Sequence, residues 1–66
     1  MAELMINGSR KELDAGTLAD VVDLLGLNGR PVVAEVNGNV VAAEKWAETN
    51  VENGMTIELV HFVGGG

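Results

Sequence analysis

The sequence predicts an α+β fold in which one helix covers one face of a single sheet. Three observations predict it. Four Asn-Gly pairs (Asn7-Gly8, Asn28-Gly29, Asn37-Gly38 and Asn53-Gly54) cut the chain into short segments, and Asn-Gly suits turns that need positive φ. One segment repeats its apolar residues with the period of a helix, and the others read as strands. The apolar content is 47%, with ten Val and seven Leu against two aromatics, Trp46 and Phe62, so the core is aliphatic. Val-rich stretches favour strands. Sixty-six residues make one small domain, and at that size only about 60% of the unfolded surface can be buried.

Residues 3–6 read as a strand with Leu4 and Ile6 on one face. Asn7-Gly8 turns the chain back into a second strand over 10–14. Thr17 starts a helix: its hydroxyl caps the first turn, and Asp20 stands near the capping-box position. Leu18, Val21, Val22 and Leu25 then form one apolar stripe, and Gly26 or Gly29 ends it. Residues 31–36 form a third strand, entered by Pro31, which has no amide to donate. Asn37-Gly38 leads to a short return strand over 40–42. Residues 44–48 form one helical turn. The last strand, 56–63, places Ile57, Leu59 and His61 on one side and Glu58, Val60 and Phe62 on the other. Apolar groups on both sides suit a central strand with one face on the helix and one partly exposed. The order β-β-α-β-β-turn-β fits a β-grasp, or ubiquitin-like roll, with the last strand in mid-sheet and parallel to the first.

Ten acids against four bases give a net charge of −6. Nucleic acid is disfavoured, because Lys and Arg supply most of that affinity, and so is an anionic membrane surface. The absence of cysteine excludes disulfides, thiolate zinc sites and thiol nucleophiles. One histidine cannot build a multi-His metal site. No apolar run approaches the roughly 20 residues that span a bilayer, and the first residues lack a signal-peptide pattern. A soluble cytoplasmic protein is expected.

The most informative feature is the run Gly64, Gly65, Gly66. It divides the chain into a domain over 1–63 and a glycine tail over 64–66, expected to be mobile when free. Without side chains, such a tail threads a channel too narrow for other residues. Ordering it costs about 1–2 kcal/mol per residue, which a partner must supply. His61 has no neighbouring nucleophile and reads as a half-exposed strand residue or partner contact. Trp46 reads as a core or rim anchor, and the scattered carboxylates as solvated surface. Asn37-Gly38-Asn39 lies in a hairpin and is no phosphate loop.

Over essentially its whole length the chain resembles the ThiS family of sulfur carriers in thiamine thiazole biosynthesis. The resemblance rests on Val36-Asn37-Gly38-Asn39-Val40-Val41, on Trp46-Ala47 with Val51 and Asn53-Gly54, and above all on Ile57-Glu58-Leu59-Val60-His61-Phe62-Val63-Gly64-Gly65-Gly66. Family members typically carry an Asp-Gly-Asp-like turn where this chain has Asn53-Gly54-Met55, a departure that touches turn chemistry and not the tail. The resemblance implies a β-grasp whose working group is the carboxylate of Gly66, with Gly65 and Gly64 as the threading segment. It implies an adenylating enzyme, ThiF, that uses ATP to join AMP to that carboxylate; no cofactor is bound by the chain itself. Sulfur from a cysteine-derived persulfide then replaces AMP, and thiazole synthase, ThiG, consumes the thiocarboxylate. The protein would be a co-substrate and not an enzyme.

Two further readings stay open. The small subunit of molybdopterin synthase shares the fold and the Gly-Gly end but is usually longer. The other is a ubiquitin-like modifier or interaction module; the ubiquitin ending carries an Arg before its glycines, where this chain has Val63. The sheet face opposite the helix, with Phe62 and Val60, is expected to dock partners.

Overall fold

A computed structural model describes residues 1–61. Strands β1 (Ala2–Ile6) and β2 (Ser9–Leu13) form a hairpin, helix α1 (Leu18–Leu24) follows, and β3 (Val32–Val36) and β4 (Asn39–Val41) form a second hairpin. A 3₁₀ segment, Ala43–Glu48, leads to β5 (Thr56–His61). The sheet order is β2-β1-β5-β3-β4, with β5 parallel to β1 and antiparallel to β3. This is the β-grasp arrangement, and the last strand is central as expected.

Strands β2 and β4 each begin one residue earlier than the sequence suggests. In both hairpins Asn and Gly alone occupy the turn. Asn7 and Asn37 have φ of 48° and 49°, and Gly8 and Gly38 have φ of 82° and 87°. Two successive left-handed residues make the primed turn that matches strand twist, so pairing resumes at once. Ile6 therefore faces Ser9, and Val36 faces Asn39.

The helix starts where Thr17 caps it. Thr17 Oγ1 accepts the Asp20 N–H at 3.2 Å, and Asp20 Oδ2 accepts the N–H groups of Gly16 (3.0 Å) and Thr17 (3.2 Å). The Asp20 amide, one of those left bare by the first turn, is thus satisfied, together with the two amides that lead into the helix. These bonds hold the Asp20 carboxyl below its ordinary pKa, the Gly16 amide contributing most and the Thr17 amide next. The helix stops at Gly26, not Gly29. With φ of 73° at Gly26, its N–H donates to the Asp23 carbonyl and that of Leu27 to the Val22 carbonyl, each at 3.0 Å. That pair of bonds is the Schellman end, which needs a left-handed residue after the cap.

Leu18, Val21 and Val22 are buried against Leu4, Ile6, Ala34, Ile57 and Leu59 of the sheet. Burying each such side chain fully is worth about 1.5–3 kcal/mol. The helix start is also tied to the segment before β5: Leu18 N–H donates to the Thr49 carbonyl (2.8 Å) and Val51 N–H to the Gly16 carbonyl (3.0 Å). Trp46 is a rim anchor, half-buried against the core with its indole N–H on the Val41 carbonyl at 2.9 Å.

Candidate functional site

Strand β5 precedes the glycine run in the sequence, and both of its edges are anchored. On one side β3 pairs with it from Val36↔Ile57 to Val32↔His61. On the other, β1 pairs Met5↔Thr56 and Ile6↔Ile57 and then turns away. The Asn7 amide continues the pairing from there. Its Nδ2 donates to the Leu59 carbonyl (3.1 Å), and its Oδ1 accepts the Leu59 N–H (2.8 Å). Asn37 and Asn53 act similarly at the other end: Asn37 Oδ1 accepts the Thr56 N–H (2.9 Å), and Asn53 Oδ1 accepts the Glu3 N–H (2.8 Å). The Asn53-Gly54 turn therefore still joins β1 to β5 with Met55 in the position after it.

Facing follows the alternation. Ile57 and Leu59 are buried, at 0% and 6% exposure, while Val60 is 49% exposed on the opposite face. Cross-strand register places Val33 beside Val60 and Glu35 beside Glu58 on that open face. Val40 lies opposite Glu35, and Met5 opposite Arg10 and Thr56. Glu3 opposite Glu12 adds a second acidic pair. Two like charges directly opposite weaken a sheet by roughly 0.2–1 kcal/mol. Val60, Val40 and Met5 remain exposed beside the acids. His61 is exposed at the end of β5. Phe62, Gly64, Gly65 and Gly66, all expected to contribute, lie outside the described residues.

The described residues contain no cluster of side chains that could hold a metal ion and no buried polar side chain lacking a partner. A shallow cleft of about 170 Å³ on the open face is lined by Glu3, Met5, Arg10, Gly54 and Thr56 among others. That is below the ~300 Å³ at which small-molecule sites begin. No helix among the described residues is long and apolar enough to cross a membrane. What the sequence did not reveal is the clasp of Asn7 on Leu59 and the meeting of Glu35 with Glu58. The Asn-Gly pair marked the turn, but only the parallel placement of β5 puts Leu59 in reach of that amide.

The fold defines a ubiquitin-like β-grasp protein: a central strand held on both sides, an acidic and apolar open face, and a glycine run following in the sequence. The ThiS family model matches residues 4–66, and the chain belongs to the ThiS family, the sulfur carriers of thiamine biosynthesis. It is 34% identical over 65 residues to the sulfur carrier protein ThiS of Bacillus subtilis, covering 96% of this chain and 98% of that protein. It is also 34% identical over 65 residues to a thiazole synthase of Paramagnetospirillum magneticum, spanning 97% of this chain but only 20% of that much longer protein. The crystal structure of a ThiS thiamine biosynthesis protein from Geobacter metallireducens superposes with a TM-score of 0.79 at 29% identity. It covers 97% of this chain and 99% of that one. A solution structure of a thiamine biosynthesis protein from the same organism gives 0.78 at 28% identity, covering 97% and 87%.

Proposed function

We propose that the carboxylate of Gly66 is the sulfur-carrying group and that the protein is a co-substrate, not an enzyme. The observation that carries this is the extent of the family match, which runs through Gly64, Gly65 and Gly66. Domain 1–63 presents the tail, and segment 64–66 enters a partner's channel.

The chemistry suits the residues. A carboxylate is a poor electrophile. A ThiF-type adenylating enzyme, using ATP, joins AMP to it and releases pyrophosphate. The outer sulfur of a persulfide on the donor system attacks the acyl carbon and displaces AMP, giving an acyl disulfide. A thiol of that donor system then cleaves the S–S bond, leaving the thiocarboxylate on the carrier and a disulfide on the donor. The sulfur sits on the backbone terminus, so a carrier without cysteine suffices. The protein binds no cofactor of its own in this reading, and ATP belongs to the partner. Thiazole synthase, ThiG, takes the sulfur; that a thiazole synthase contains a region resembling this sequence supports the pairing. The carrier works in the cytoplasm in this reading, beside a partner that uses ATP.

Partners dock on the open sheet face. Val60, Val33 and the region of Phe62 offer apolar contact, and Glu35 with Glu58 attracts a basic side chain, whose arrival relieves their repulsion.

The test is intact mass after incubation with the adenylating enzyme, ATP and a sulfur source. The native protein gains the mass difference between sulfur and oxygen. Deleting Gly66 shortens the reach by about 3.3–3.6 Å. A misplacement of about 1 Å already costs about a hundredfold in rate, so the deletion variant stays unmodified. A bulky residue at Gly65 blocks the step by clash. Equal modification of the deletion variant would sink the assignment.

A further inference from the structure

The geometry points to Asn28-Gly29 as the protein's deamidation site, while the other three Asn-Gly pairs, the same dipeptide, are protected by the fold. In this reaction the backbone nitrogen of the glycine loses its proton and attacks Cγ of the preceding asparagine. A bond forms between that nitrogen and Cγ, the bond from Cγ to Nδ2 breaks, and Nδ2 leaves as ammonia, carrying the equivalent of the proton that the glycine nitrogen lost. Water then opens the cyclic imide to aspartate or isoaspartate. Only water is consumed, and no electrons change hands.

The step needs a free attacking amide and an asparagine side chain free to rotate. Asn7 has both polar atoms held by Leu59, at 2.8 and 3.1 Å. Asn37 has its Oδ1 held by the Thr56 N–H at 2.9 Å. At Asn53 both parties are held: Oδ1 accepts from Glu3, and the attacking Gly54 N–H donates to the Glu3 carbonyl, each at 2.8 Å. Reaction at any of these requires the ends of β5 or β1 to open first. Asn28 differs. It sits with Gly29 at the centre of an exposed turn closed by the Arg30 N–H on the Leu27 carbonyl at 3.1 Å. Its one bond is a long 3.3 Å contact from Nδ2 to Asp23 Oδ1, so its Oδ1 is free among the described residues. The Gly29 N–H likewise has no acceptor among them, and the space around its Cα is open. The product places a carboxylate beside Asp23 at the end of α1, where the helix dipole disfavours negative charge.

The experiment incubates the full-length protein at mildly alkaline pH and follows each Asn-Gly pair by mass spectrometry of proteolytic fragments, once folded and once in denaturant. In the folded protein Asn28 converts several-fold faster than Asn7, Asn37 or Asn53. In denaturant the four rates converge, because the dipeptide is the same. Conversion of any of the other three as fast as Asn28 in the folded protein overturns the assignment. So does an Asn28 preference that persists in denaturant, since the cause would then be local sequence.

Discussion

The Asn7 side-chain amide holds both backbone groups of Leu59, 52 residues away in the sequence. It acts as one more residue of β1 at the point where the backbone of β1 has turned off, and so carries the pairing of β5 two residues past Ile57. Replacing Asn7 by Gly tests this. Glycine keeps the left-handed backbone of the turn and removes the amide, with a further cost of about 0.4–1 kcal/mol from the freer unfolded chain. Two part-buried backbone groups then lose their partners, with an expected cost of about 1–3 kcal/mol. Chemical denaturation measures it, and unchanged stability would show the clasp to be idle.

The two faces of β5 separate by mutation. Leu59→Ala removes packing from a closed core and lowers stability by about 2–5 kcal/mol. Val60→Ala, on the open face, changes stability by no more than about 0.5 kcal/mol but weakens binding of the adenylating enzyme by roughly 1–2 kcal/mol. Thermal unfolding and titration calorimetry on the same two variants read both effects. Intact binding by the Val60 variant would move the docking surface elsewhere.

Glu35 and Glu58 set stability against recognition. Glu58→Gln removes the facing like charge and raises stability by roughly 0.2–1 kcal/mol, more at low salt. The same change slows association with a basic partner surface. Stopped-flow association at two ionic strengths checks it; an unchanged rate at low salt contradicts the electrostatic part of the docking proposal.

Asp20 gives the helix start a pH dependence. Its folded pKa lies below the ordinary 3.8 because the ionised carboxylate accepts the Gly16 and Thr17 amides. A depressed pKa means stability that is fully present above 3.8 and lost as pH falls through the folded value. Denaturation midpoints taken from about pH 5 downward should therefore drop less steeply in Asp20→Asn than in the native protein. Identical slopes would mean that the cap makes no titratable contribution.

Local rules made much of this molecule readable from residue order. Asn-Gly pairs placed the turns, Thr17 and Asp20 the helix start, and the alternation in 56–61 the buried and open sides of β5. Each is a short-range effect: a backbone conformation that few residues accept, a side chain reaching its own helix end, or a two-residue period. The choice of Gly26 over Gly29 as the helix end was not legible, since both glycines accept the left-handed conformation. Packing of Leu27 against the core accompanies the choice. The same holds for the clasp of Asn7 on Leu59, for Glu35 meeting Glu58, and for the contrast between Asn28 and three otherwise identical pairs. Those depend on which strands lie side by side, and that is decided by how one helix and five strands together close a single aliphatic core.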